Sequence, residues 1–110
     1  MNIEREQVGG KVVLRVAGRM NAENSSQFES QCEACIAEGS KSLIVDLGDL
    51  AYVSSAGLRS FVIIAKKLKE TGGVLRICRL TGMVRQVFEI TRLTELFPLH
   101  DSVESAVLEA

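Results

Sequence analysis

Two adjacent hydroxyls, Ser54 and Ser55, are the residues of this chain best placed to do chemistry. An apolar run, Leu43-Ile44-Val45, closes on Asp46, and Asp49-Leu50-Ala51-Tyr52-Val53 then leads into the two serines. Ala56-Gly57-Leu58-Arg59 follows and opens a long segment with helical spacing. The pattern predicts a strand, a turn and a helix start, with both hydroxyls at the start. A serine oxygen there satisfies a backbone N–H that has no partner inside the helix. A helix start also carries roughly half a positive charge, which suits an anion, a phosphate included. Ala56 and Gly57 are too small to shield the hydroxyls. A plain helix cap would use the same residues, and pattern alone leaves both readings open.

Other chemistries find little support. Nucleophilic serine catalysis needs a base and an oxyanion site close by. The only histidine, His100, sits beside Pro98-Leu99 in an expected surface turn, and no G-x-S-x-G elbow is present. The phosphate-binding patterns G-x-x-x-x-G-K-[ST] and G-x-G-x-x-G are absent too. The expectation is that the chain is not an enzyme and has no cofactor of its own. Cys32 and Cys35 have C-x-x-C spacing, but they fall inside a helical pattern with no second cysteine pair. Reactive thiols are favoured at helix starts, so these two and Cys78 read as small buried apolar residues in a reducing compartment.

With 110 residues, 46% of them hydrophobic and 25% charged, one independently folding domain spanning 1–110 is expected. A net charge of −1 provides no electrostatic footprint for nucleic acid or an anionic membrane. The N-terminus lacks the form of a signal peptide, and the longest apolar run, Phe61 to Ala65, is too short to span a bilayer. A cytoplasmic location is expected.

The elements that must position the serines follow in order. Residues 2–8 and 11–17 read as strands around Gly9-Gly10, the first a charged edge and the second buried on both faces. Asn21 can cap a helix running to about Glu38, with Phe28, Cys32, Cys35 and Ile36 inward and Gly39 as its stop. Residues 42–47 form the next strand, and strand–helix–strand makes a right-handed parallel crossover. A helix from about Ser55 to Thr71 buries Leu58, Phe61, Val62, Ala65 and Leu68. Residues 74–78 are again a strand, and Thr81 starts a helix with Val84, Val87, Phe88 and Thr91 on one face. Arg79, Arg85 and Arg92 read as solvated. Residues 96–99 make a short edge piece, and Asp101 to Glu104 has capping-box spacing for a terminal helix. The sum is an α/β domain, a mixed and mostly parallel sheet of 4–5 strands with about four helices, in one sheet-against-helices layer pair. Asp46, Asn21 and Ser55 are expected to emerge together at the C-terminal edge of the strands.

Asp49-Leu50-Ala51-Tyr52-Val53-Ser54-Ser55-Ala56-Gly57-Leu58, with the Asp-ended strand before it, resembles the signature of STAS domains, and of anti-sigma factor antagonists among them. In those antagonists the signature reads Asp or Ser, phosphorylated Ser, small residue, Gly-Leu. Ser54 then holds the Asp-or-Ser place, Ser55 the phosphoacceptor place, Ala56 the small place and Gly57 the glycine. Gly18-Arg19-Met20-Asn21 is similar to the family's Gly-Glu-Leu-Asp turn, with Arg for Glu and Asn for Asp, which implies that Asn21 helps contact the kinase. The element order and the C-terminal Glu89-to-Phe97 stretch resemble the family as well, so the likeness covers nearly the whole chain. It implies a STAS-domain anti-sigma factor antagonist that acts by partner switching. Unphosphorylated, such a protein binds an anti-sigma factor that is also a serine kinase and releases its client. Phosphorylation on Ser55 abolishes binding, and a PP2C-type phosphatase reverses it. ATP and Mg²⁺ belong to the kinase. Ser54, Ala56, Gly57, Asp46 and Asn21 are the implied contact or orienting residues. The alternative is a STAS subunit of a membrane lipid-trafficking (ABC) complex docking an ATPase subunit. A nucleotide-binding STAS domain has no residue pattern here in its favour.

Overall fold

The β-branched run Val12-Val13-Leu14-Arg15-Val16 forms the middle of β2 (Lys11–Met20), the strand from which the sheet grows. The structure is a computed structural model describing residues 1–110. β1 (Asn2–Val8) pairs antiparallel with β2 across Gly9-Gly10, both glycines at positive φ, as a tight hairpin requires. The other edge of β2 has two neighbours in succession. Val12 to Arg15 pair in parallel with β3 (Ser42–Asp46). Gly18 to Met20 pair in parallel with β4 (Leu50–Val53), after a shift of register at Gly18/Arg19. β5 (Val74–Cys78) lies parallel to β3, and β6 (Leu99–His100) lies parallel to β5 at the edge. One antiparallel pair and the rest parallel is the mixed sheet expected.

It has six strands rather than four or five. The addition is β4, which reads in sequence as turn. β2 continues three residues past Ala17, and its free edge there engages Leu50–Val53.

Alternation along the strands divides the core. Val12, Leu14, Val16, Leu43, Val45, Leu75 and Ile77 face α1 (Ser25–Ala37), α2 (Ser55–Glu70) and α3 (Gly82–Ile90). Val13, Ile44 and Cys78 point the other way, onto Val103 and Ala106 of α4 (Val103–Glu109). The domain therefore has three layers, not two, which is why β2 is apolar on both faces. Phe61 of α2 lies at the centre of the larger core. Its ring centroid is 4.7 Å from Phe28, 5.4 Å from Phe88 and 6.4 Å from Phe97. Leu58 and Leu68 are buried as expected. Ile64 takes a fully buried place, while Val62 and Ala65 are half-buried at the margin.

Two caps differ from expectation. α1 begins at Ser25 with Asn24 as N-cap, so residues 22–24 form a turn that Asn21 organises rather than a helix that it caps. At α4, Ser102 is the cap and accepts the Ser105 N–H at 3.0 Å, one residue later than the Asp101–Glu104 spacing suggests.

All three cysteines are free and fully buried. Burial pushes the Cys32 thiol well above its ordinary range and the Cys78 thiol to about 12, since a thiolate would lie unsolvated in the core. None of the three is expected to react with a thiol-specific disulfide reagent at pH 8 until urea unfolds the chain. Rapid labelling of the native protein would contradict that burial.

Candidate functional site

β2 ends at Met20, and the Met20 carbonyl accepts the Ser54 N–H at 2.9 Å, so the strand end and the start of α2 are joined directly. Ser54 has extended backbone angles, and its Oγ accepts the Gly57 N–H at 3.1 Å. This hydroxyl is the cap, held inward by its own helix. Ser55 is the first residue of α2 and is exposed, and its hydroxyl takes no part in the bonds that hold the turn. The two readings of the serine pair thus separate between the two residues. Gly57 is required by packing, because a Cβ there would stand 2.8 Å from Val53 Cγ2 and 3.0 Å from Met20 Sδ. Only a hydrogen lets the first turn of α2 lie this close to β4.

Asn21 follows Met20 and therefore lies beside the serine turn. Its Oδ1 accepts the N–H groups of Glu23 (3.1 Å) and Asn24 (3.0 Å), and Asn24 Oδ1 accepts the Asn21 N–H at 2.8 Å. Asn24 also donates from Nδ2 to the Arg19 carbonyl at 2.9 Å. The Arg19 guanidinium lies over the Tyr52 ring, 4.3 Å from its centroid. Between α1 and α2, Ser25, Glu29, Ser55, Ala56, Arg59 and Ile63 enclose an open cleft of about 570 Å³. The one proton of the buried Ser60 hydroxyl is shared between Glu29 Oε1 at 2.7 Å and the Ala56 carbonyl at 3.1 Å.

Asp46 does not join this surface. In the register of β2, Asp46 is opposite Arg15 while Val53 is opposite Met20. Five residues of strand, about 16 Å, separate those levels. Asp46 is 2% exposed. Its Oδ2 accepts from Arg15 at 2.7 Å, and its Oδ1 accepts from Arg79 Nε and from the Gly48 N–H, both at 2.9 Å. Arg79 is consequently not simply solvated. It holds a left-handed backbone (φ 56), and the Asp46 hydrogen bond, followed by the attraction of that carboxylate, raises its guanidinium above the ordinary range. Asp46 ties β2, β3 and the segment after β5 into one clamp; it offers no free oxygen to a partner. Asp46→Ala is expected to lower unfolding free energy by about 2 kcal/mol, the ion pairs being weakened by arginines that reach water, and to leave the Ser54-capped turn in place. Urea titration checks the first part.

No group of three His, Cys, Asp or Glu side chains is arranged to hold a metal ion, and no helix is long and apolar enough to cross a membrane. Sequence reasoning did not single out Ser25, Glu29 or Arg59 for the cleft. The position of Arg59 four residues after Ser55 was the one available signal.

These features define an α/β domain with an exposed hydroxyl where two strand ends meet a helix. The family model "STAS domain" matches residues 2–106, and the chain belongs to that family. It is 36% identical over 106 residues to BtrV of Bordetella bronchiseptica, which carries the provisional name of anti-sigma factor antagonist, covering 96% of this chain and 91% of that protein. The fold is similar to that of a Thermotoga maritima protein, also provisionally called an anti-sigma factor antagonist, with a TM-score of 0.90 at 22% identity over 97% of this chain and 92% of that one. It is also similar to the Bacillus cell fate determinant SpoIIAA, solved in the phosphorylated form, with a TM-score of 0.77 at 18% identity over 98% of each chain.

Proposed function

We propose that this chain is an anti-sigma factor antagonist that switches partners according to the state of Ser55. One observation carries the reading: of two neighbouring serines, Ser54 is engaged as the helix cap and Ser55 stands exposed at the first position of α2. Unphosphorylated, the chain docks an anti-sigma factor that is also a serine kinase, and the kinase releases its client. The kinase transfers the γ-phosphoryl of its own Mg²⁺-bound ATP to Ser55 Oγ. The hydroxyl loses its proton and ADP leaves. A PP2C-type phosphatase hydrolyses the phosphoserine and restores the first state. The antagonist catalyses neither step and works in the cytoplasm. The relative and neighbours named for anti-sigma factor antagonism support this reading, as does SpoIIAA, whose phosphorylated form exists as a structure.

The physical basis is local. A phosphate adds about −1.5 to −2 charges at neutral pH and three strong acceptors. At the first turn of a helix the domain tolerates that charge. At a protein–protein contact, an unpaired buried charge costs several kcal/mol. One modification can therefore dismiss a partner without disturbing the fold. In this reading Asn21 and Ala56 are contact or orienting residues near Ser55, and the buried Gly57 acts by letting the first turn of α2 approach β4. The test is incubation with the anti-sigma factor kinase of the same organism and ATP, followed by mass spectrometry. One phosphate on Ser55 is expected. A phosphate elsewhere, or undiminished labelling of Ser55→Ala, overturns the assignment.

A further inference from the structure

We propose that partner and phosphate compete for one guanidinium, that of Arg59: in the unphosphorylated chain it binds a carboxylate of the docked protein, and phosphoserine 55 takes it away. The inference rests on the function proposed above and assigns the means of the switch.

Ser55 and Arg59 are four residues apart on α2, which puts them on one face with Cβ atoms about 6 Å from each other. Both are exposed and both line the cleft between α1 and α2. Arg59 is its only cation. Six of the eight arginines already have work within the fold. Arg5, Arg15, Arg79 and Arg85 form ion pairs, Arg19 covers Tyr52, and Arg76 meets His100 Nε2 at 3.2 Å. Arg59 and Arg92 have no such partner, and Arg92 follows α3, far along the chain.

The other charge in the cleft, Glu29, keeps its negative charge but forms no ion pair with Arg59: its Oε1 accepts from the Ser60 hydroxyl. A guanidinium fork fits carboxylate and phosphate alike, two parallel N–H bonds to two oxygens, and binds the doubly charged group more strongly. The unphosphorylated surface thus presents a cation ready for an acidic side chain. Phosphorylation one helical turn away supplies a tethered competitor that never dissociates. The phosphate then removes the cation the contact used, and only the charge left after pairing with that one guanidinium, about −0.5 to −1, stays uncompensated at the contact.

The test is a double-mutant cycle on binding to the anti-sigma factor kinase, measured by calorimetry with native, Arg59→Ala, Ser55→Glu and doubly substituted chains. Circular dichroism verifies each fold. Arg59→Ala alone is expected to weaken docking about tenfold, the loss of one charged contact. In the Arg59→Ala background, Ser55→Glu is expected to cost several-fold less affinity than in the native chain. Unchanged docking of Arg59→Ala overturns the proposal, and so do single effects that simply multiply. A second measurement reads the capture without any partner. In ³¹P NMR titrations of kinase-treated chains, the second phosphate ionisation is expected to lie lower in the native chain than in the Arg59→Ala chain, by about 0.3 pH unit. Equal values overturn the capture. A Ser55→Glu chain that binds normally, or no phosphate on Ser55, would instead defeat the function proposed above, while Arg59→Ala would still report on the carboxylate contact.

Discussion

A Ser55→Glu chain is expected to keep its fold and to bind the anti-sigma factor kinase proposed as its partner at least roughly a hundredfold more weakly than the native chain. Both halves follow from the position of residue 55. It is exposed at the first position of α2, so a carboxylate there displaces no packing and meets the positive end of the helix. Thermal unfolding should therefore be unchanged or slightly raised. At a docked interface the same carboxylate loses its water and takes up the Arg59 guanidinium that the contact uses, and about 3 kcal/mol for the two together corresponds to that loss of affinity. Ser55→Ala is the control. It removes the acceptor, and binding is expected to stay within a few-fold of native. Ser54→Ala differs again, because it deletes the bond to the Gly57 N–H and lowers stability by about 1 kcal/mol. Calorimetric titration separates the three. Native-like affinity of Ser55→Glu would show that residue 55 does not govern docking.

The second large effect concerns what holds the surface in place. Phe61→Ala is expected to reduce unfolding free energy by about 4 kcal/mol. The ring is fully buried and lies among Phe28 of α1, Phe88 of α3 and Phe97 of the segment before β6. Truncation removes apolar burial, three aromatic contacts and the filler between the helices at once. Against a total of about 5–15 kcal/mol for a domain, a large part of the stability goes. Phe61→Leu conserves most of the volume, so its effect is expected to be well under half as large. Urea midpoints at constant slope make the comparison. A loss below about 1 kcal/mol for the alanine would mean that α1, α2 and α3 are not joined through this ring.

Where the site was legible, the residues concerned act on their immediate neighbours. A Ser-Ser-Ala-Gly sequence ahead of a periodic apolar segment declares a capped helix start, because capping involves atoms three residues apart. The apolar stripe of α2 and the Gly39 stop of α1 are local for the same reason. Even so, the stripe's inner member proved to be Ile64 rather than Val62, since α1, α3 and the sheet decide which side of the helix is covered.

Asp46 shows the limit most clearly. In sequence it is one more acid at a strand end, placed among the residues of the serine surface. Its actual neighbours, Arg15 and Arg79, are 31 and 33 residues away. β4 was hidden likewise, because its identity as a strand depends on how far β2 extends beyond β3. The α4 layer depended on which face of the sheet lacked a cover. What the chain determined alone was its element order, its capped serine turn and its apolar faces, all governed by contacts within a few residues. Which acid is clamped, which serine is free and which arginine stands beside it were decided only when distant strands and helices met, because burial and ion pairing depend on neighbours that the chain brings from afar.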